Sequence, residues 1–251
     1  MSRHLIESRS AAQRAIDEGR VRVAGVAAPK SSTLVARTDP IRISREEPTF
    51  VGRGGTKLAA ALEAFMVDVA DRSALDVGAS TGGFTDCLLQ SGAKMVVAVD
   101  VGYGQLHWRL RNDERVHVIE RTNFRTVDIR ELGGPFDVIV ADLSFISLRT
   151  VAAKLAACGG SESDWVLLVK PQFEVGKRRV PRGGVVKDPS DRAEAVRGVR
   201  DALAEEGIGV VDLIVSPITG AEGNVEFLVH GRRGFPTLSD GAVAQAAEVT
   251  T

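Results

Sequence analysis

From Gly55 onward the chain alternates helix-period segments with short, continuous apolar runs, and this alternation limits the fold more than any other feature. The runs fall at Ser73–Val77, Met95–Val99, Val116–Ile119, Phe136–Ala141, Trp165–Val169, Val210–Val215 and Val225–His230. Strands that are apolar on both faces belong to a parallel sheet covered on both sides. Helical periodicity places helices near 56–68, 83–91, 104–112, 146–157 and 189–206. The pattern predicts an α/β fold: a doubly wound, seven-stranded Rossmann-like sheet. Only Ser216 to Asn224 joins the last two strands, too short a link for a crossover, so the last strand is expected to be antiparallel.

The first 45 residues read differently. Ser8 to Gly19 has a capping serine, an apolar stripe of Ala12, Ala15 and Ile16, and a terminating glycine, which predicts a helix. Val21-Arg22-Val23 and Ile41-Arg42-Ile43 alternate as short strands. The expected organisation is a small α+β module over 1–45, a linker over 46–54, the main domain over 55–236 and a frayed, Ala-rich tail over 237–251. Charge is divided along the same line. Met1 to Lys57 carries 11 Lys and Arg against 6 Asp and Glu, a balance of +5; the net charge of −1 leaves −6 on the rest. A basic front on a mildly acidic body suits a module that contacts a polyanion, although a solvated basic surface has the same composition.

The two cysteines, Cys87 and Cys158, have no metal-ligand spacing around them, and a disulfide framework is excluded. No metal site and no membrane partner are expected. The front has no signal-type apolar stretch and no window approaches a membrane span, so the chain reads as cytoplasmic.

The strand Ser73–Val77 runs into Gly78-Ala79-Ser80-Thr81-Gly82-Gly83, where glycines let the backbone turn tightly beside a ligand. The spacing G-x-x-x-G-G departs from the G-x-G-x-x-G of dinucleotide sites, which argues against an NAD-dependent enzyme. Asp76 precedes the first glycine, placed to meet an ammonium group. Asp100 ends the next strand, 24 residues later, where a carboxylate accepts both hydroxyls of a ribose. An amino-acid head with a nucleoside tail satisfies both acids, as in S-adenosylmethionine.

Four further residues mark the reacting groups. Asp142 and Lys170 interrupt apolar runs at strand ends, where open α/β sheets bind ligands. Lys57 follows Arg53-Gly54-Gly55-Thr56, and Glu226 lies on the expected final strand. Two lysines and two carboxylates suit deprotonation of an alcohol for attack on a sulfonium methyl; a lysine can serve as the base only if its pKa falls, which a second ammonium nearby promotes. On chain order alone, Lys57 and Glu226 fit a surface ion pair equally well.

The segments Gly54–Leu58, Asp76–Thr85, Asp100–Leu106, Glu120–Asn123, Ala141–Ser147, Val169–Lys177, Gly183–Val186 and Gly223–Glu226 closely resemble the TlyA family. The resemblance implies 2'-O-methylation of cytidine ribose in 16S or 23S ribosomal RNA by an S-adenosylmethionine-dependent RNA methyltransferase. Ribosomal RNA or ribosomal subunits would be the partner. The catalytic domain is similar to FtsJ-type ribose methyltransferases, whose Lys-Asp-Lys-Glu tetrad matches Lys57, Asp142, Lys170 and Glu226, with Lys170 as the base. The implied cofactor residues are Asp76, Gly78, Ser80, Thr81, Gly82, Gly83, Asp100, Val101, Asn123 and Asp142, with Asn123 near the adenine. Ser8–Gln13 and Gly19–Gly25 resemble an S4-type RNA-binding domain, which implies phosphate contacts by Arg3, Arg9, Arg14, Arg20 and Arg22. The family also carries a haemolysin label. A membrane-lytic protein is therefore an alternative, though without a spanning or amphipathic Lys-rich segment its physical support is thin. An RNA-binding protein without activity is another; the intact tetrad and loop argue against it.

Overall fold

The computed structural model describes residues 5–6, 9–17, 19–28, 30–36, 38–44, 49–176 and 179–248. At the front, α1 (Arg9–Asp17) packs on a three-stranded antiparallel sheet of β1 (Val21–Val23), β2 (Val26–Ala27) and β3 (Ile41–Ile43), ordered β2-β1-β3. Ala15, Val21 and Ala28 are buried between them, with Ile16, Val23, Ile41 and Ile43 against them. The apolar stripe on the helix and the alternation on the strands thus meet as the periodicities require.

The body contains α2 (Arg53–Ala64), β4 (Ser73–Val77), α3 (Gly83–Gln90), β5 (Met95–Val99), α4 (Trp108–Arg111), β6 (Val116–Ile119) and β7 (Phe136–Ala141). It continues through α5 (Ala152–Ala157), β8 (Gly159–Val169), α6 (Pro171–Glu174), α7 (Pro189–Glu205), β9 (Ile208–Val215), β10 (Phe227–Arg233) and α8 (Asp240–Ala247). The sheet order is β6-β5-β4-β7-β8-β10-β9. Strands β4 to β8 pair in parallel, while β10 is antiparallel to both of its neighbours. The last strand is antiparallel as expected, but it inserts between β8 and β9 instead of lying at the edge. Its Phe227 faces Val169 in register, so the entry to β10 meets the exit from β8.

Side-chain alternation divides the core between the two faces. Leu75, Val77, Ile139 and Leu167 join the cluster under α5, α7 and α8; Ala74, Val138 and Val166 join the one under α2 and α3. Chain order reverses between β4 and β7, which opens a crevice at the strand exits where such sheets bind ligands.

Several expected boundaries move. The helix over 104–112 shrinks to Trp108–Arg111, because Gly104 N–H is held by Glu120 and His107 caps the helix by accepting from Arg109 N–H. The segment 146–157 begins as a 3-10 turn at Leu148–Val151, capped by Ser147, before α5 takes over. Helix α2 starts at Arg53, so the last two residues of the expected linker are helical; residues 45–48 lie outside the described residues. It ends at Ala64, before the left-handed Met66. The expected frayed tail is instead helix α8, capped by Ser239, with Val243 and Ala247 buried against the sheet. Alanine-rich composition hid an apolar face that only the packing of α7 and β9 makes useful.

Candidate active site

Two cavities open at the strand exits. The larger, about 610 Å³, is bounded by the loop after β4, by Asp100, Val101 and Gly102 after β5, by Thr122 and Asn123, and by Leu143 to Ile146 after β7. The smaller, about 320 Å³, is lined by Lys57, Asp142, Lys170 and Glu226, with Arg53, Thr81, Gly83 and Thr219 around them. Gly78, Ser80, Asp142 and Ser144 belong to both walls, so the two spaces adjoin across this partition.

The loop after β4 takes its shape from its residues. Gly78 has φ +87°, and a Cβ there would stand 2.8 Å from the Asp142 carbonyl oxygen. A side chain would therefore push β7's exit away from β4's. Ser80 is also left-handed, and its N–H donates to Asp100 Oδ2 at 2.8 Å. Gly102 N–H donates to the other oxygen at 2.6 Å, which fixes the Asp100 carboxylate at the cavity wall. Asn123, Val101 and Asp142 line the same wall.

Asp76 does not face this cavity. Residues alternate along β4, so Asp76 shares the face of Ala74, beneath α3, where Thr85 Oγ1 donates to its Oδ2 at 2.6 Å. Its other oxygen is buried without a hydrogen-bond partner. Burial pushes its pKa up to about 7, opposed by Thr85 and reinforced by the carboxylates of Asp142 and Asp100. The expected contact with an ammonium group is thus corrected: Asp76 lies behind the loop.

The four residues expected to carry the reaction line one cavity. Lys57 sits on the buried face of α2; Asp142 directly follows β7; Lys170 directly follows β8 and caps α6. Glu226 directly precedes β10, one residue outside the strand on which the sequence placed it. Lys57 Nζ is ion-paired with Glu226 Oε2, and Lys170 Nζ lies 2.5 Å from Asp142 Oδ1. Lys57, Lys170 and Glu226 are buried. The surface ion-pair alternative for Lys57 and Glu226 is excluded by that burial.

The pattern of FtsJ-like methyltransferases matches residues 50–233. A relative in Mycobacterium tuberculosis, the 16S/23S rRNA (cytidine-2'-O)-methyltransferase TlyA, is 50% identical over 228 residues, 90% of this chain and 85% of that one. The chain belongs to the TlyA family of FtsJ-like methyltransferases. Another TlyA-related protein, Hemolysin A of Brachyspira hyodysenteriae, is 40% identical, covering 89% of this chain and 93% of that one. A solved structure from Streptococcus thermophilus, also named for hemolysin, superposes with TM-score 0.76 at 37% identity, covering 96% of this chain and 91% of that one. Among the described residues of this TlyA-family chain, no helix is long and apolar enough to cross a membrane, and no group of three or more His, Cys, Asp or Glu could hold a metal ion.

Sequence reasoning missed several residues at this TlyA-type site. Ser144 Oγ accepts from Lys170 Nζ at 2.9 Å, so it shares the amine with Asp142. Arg53 donates to the Thr219 carbonyl at 2.8 Å; burial pulls its pKa down and the charge of Glu226 pushes back. Gly220 lets its loop close on Glu226, since a Cβ there would fall 2.3 Å from Oε1. Ser144 lies inside the Ala141–Ser147 segment, Arg53 adjoins Gly54–Leu58 and Gly220 stands three residues before Gly223; none carries a further sequence signal.

The arginines of the front module are partly visible. Arg9 and Arg22 are exposed and Arg20 is half-buried, while Arg3 and the Arg14 side chain lie outside the described residues. Arg42, not singled out from the sequence, faces Arg22 across the β1–β3 pair, and both are exposed. Like charges opposite each other on a sheet destabilise it, and a bound polyanion relieves that repulsion. Cys87 and Cys158 are buried, with burial pushing their thiols up to about 12 and about 11, so they are inert packing groups.

Proposed function

We propose that this chain transfers a methyl group from S-adenosylmethionine to the 2'-hydroxyl of cytidine ribose in 16S or 23S ribosomal RNA. One observation carries the reading: a nucleoside-sized cavity and a cavity holding Lys57, Asp142, Lys170 and Glu226 share a wall at Gly78, Asp142 and Ser144. The names of the curated relatives supply the substrate class.

The larger cavity fits the cofactor's chemistry. Asp100, held by two backbone N–H groups, keeps lone pairs free for ribose hydroxyls, and Val101 and Asn123 border the space for the adenine. Ser80, on the wall the two cavities share, and Thr81 and Gly83, on the smaller one, would with Gly82 hold the remainder next to Asp142. When bound, S-adenosylmethionine supplies an electrophilic methyl on a sulfonium centre.

The chain's own residues handle the hydroxyl. Lys170 Nζ, entering the step as the neutral amine after releasing a proton to solvent, takes the proton from the 2'-oxygen as that oxygen attacks, and the resulting ammonium is held by Asp142 and Ser144. Lys57 and Glu226, which line the same cavity, orient the ribose. The module over 1–45 would hold phosphates through Arg3, Arg9, Arg14, Arg20 and Arg22 and so position the RNA for the domain over 55–236.

The test is transfer of labelled methyl from S-adenosylmethionine to purified small and large ribosomal subunits. Wild type is expected to label a cytidine ribose. Lys170→Ala should abolish transfer while leaving cofactor binding within a few-fold. Full activity in that variant would remove Lys170 as the base.

A further inference from the structure

Asp142 and Lys170 stand on different loops, and their 2.5 Å contact requires those loops to keep a fixed offset. Glu174, at the end of α6 and one turn beyond Lys170, is buried and used by no step described above. Its carboxylate accepts from Ser147 Oγ at 2.5 Å and from Leu148 N–H at 2.8 Å. Both donors lie on the segment that leaves β7 after Asp142. Lys170, at the other end of α6, reaches the same segment through Asp142 and Ser144. The short helix is therefore tied at both ends to residues 142–148.

The bonding choice has a physical reason. Ser147 and Leu148 begin the turn that leads into α5, where N–H groups lack partners inside the helix, and a carboxylate satisfies such donors well. Burial raises the pKa of Glu174, while the two donors and the charge of Arg149 pull it back.

We infer that Glu174 is a positioning residue: it clamps the loop after Asp142 to α6 and so sets where the Lys170 amine stands in the tetrad. The inference rests on the methyl-transfer reading for its kinetic consequence. A misplacement of about 1 Å at a reacting group costs up to about 100-fold in rate.

Three variants test it: Glu174→Ala, Glu174→Gln and Ser147→Ala, each with thermal melting and S-adenosylmethionine titration. In Glu174→Ala, kcat on ribosomal subunits should fall by about 10- to 100-fold at saturating cofactor, with KM for the subunit changed little. Glu174→Gln should recover most of that loss, because its amide oxygen still accepts from Leu148 and its amide nitrogen donates to Ser147. Adding Ser147→Ala to Glu174→Ala should cost little more. A second readout needs no RNA. The rate at which an acetylating reagent labels Lys170, read by mass spectrometry, should change in Glu174→Ala and return toward wild type in Glu174→Gln. A folded Glu174→Ala variant with wild-type kcat and labelling rate overturns the inference, as does a Glu174→Gln variant no better than Glu174→Ala. If wild type transfers no methyl group, the reaction reading fails, and the Lys170 labelling rate alone decides on the clamp.

Discussion

The Lys57–Glu226 pair offers a quantitative test, because its stability cost and its proposed chemical role separate. The two side chains are 9% and 3% exposed, so the pair is desolvated. Glu226→Gln leaves a buried ammonium facing a neutral amide; removing one partner of a buried pair costs about 3–5 kcal/mol. Lys57→Met leaves the carboxylate instead, but the positive charge of Arg53 is felt at Glu226, so this variant should lie at or below the bottom of that range. With roughly 2–4 °C of melting temperature per kcal/mol in a chain of this size, Glu226→Gln should melt about 10 °C early and Lys57→Met about half as much. The double variant Lys57→Met/Glu226→Leu removes both charges at similar volume and should return to within about 1 kcal/mol of wild type or exceed it. All three should lose methyl transfer. Calorimetry together with labelled-methyl transfer reads both quantities on one preparation. A Glu226→Gln variant that melts with wild type would show that the pair is not desolvated. A stable double variant that keeps its activity would refute the assignment of this pair to the reaction.

Two other expectations follow from single residues. Gly78→Ala places a Cβ 2.8 Å from the Asp142 carbonyl in a left-handed backbone, so the wall between the cavities must shift; S-adenosylmethionine affinity should fall at least about tenfold by titration calorimetry. Unchanged affinity would mean that the larger cavity is not the cofactor's. Asp76 titrates near 7 in the fold against 3.8 for its ordinary value, so between those values the folded state binds a proton that the unfolded state has released. Stability therefore falls as pH rises through that window, by at most about 4 kcal/mol, and the loss is complete above about pH 7. Asp76→Asn is neutral throughout. Its melting temperature relative to wild type should climb from pH 4 to pH 7 and then level off; a difference independent of pH would show that Asp76 is not the buried titrating acid.

What the sequence discloses depends on whether a residue breaks a pattern. Asp142 and Lys170 were legible because each ends a run of apolar residues, and a charge at that point must be facing something. The glycine loop and Asp100 were legible from spacing. Asp76 was misread because the sequence shows an acid before the loop, whereas its direction follows from β4 alternation and from Thr85, nine residues on, lying on the covering helix. Ser144 and Glu174 are polar residues beside loops, without a period to mark them; only the closeness of two strand exits gives them partners. Helix α8 shows the reverse case, in which composition suggested nothing and tertiary packing supplied the apolar contact.

The direction of β10 decides when the site exists. Among the described residues, β10 is the one strand of the seven-stranded sheet that runs backward, so its beginning meets the end of β8, and Glu226 pairs with Lys57 across 169 residues of chain. The walls of the larger cavity all come from residues 77–146. During synthesis, then, every residue of that wall has emerged well before the tetrad can close. On the methyl-transfer reading, the reaction waits for the last strand, and a chain folded only as far as the larger cavity has no complete site.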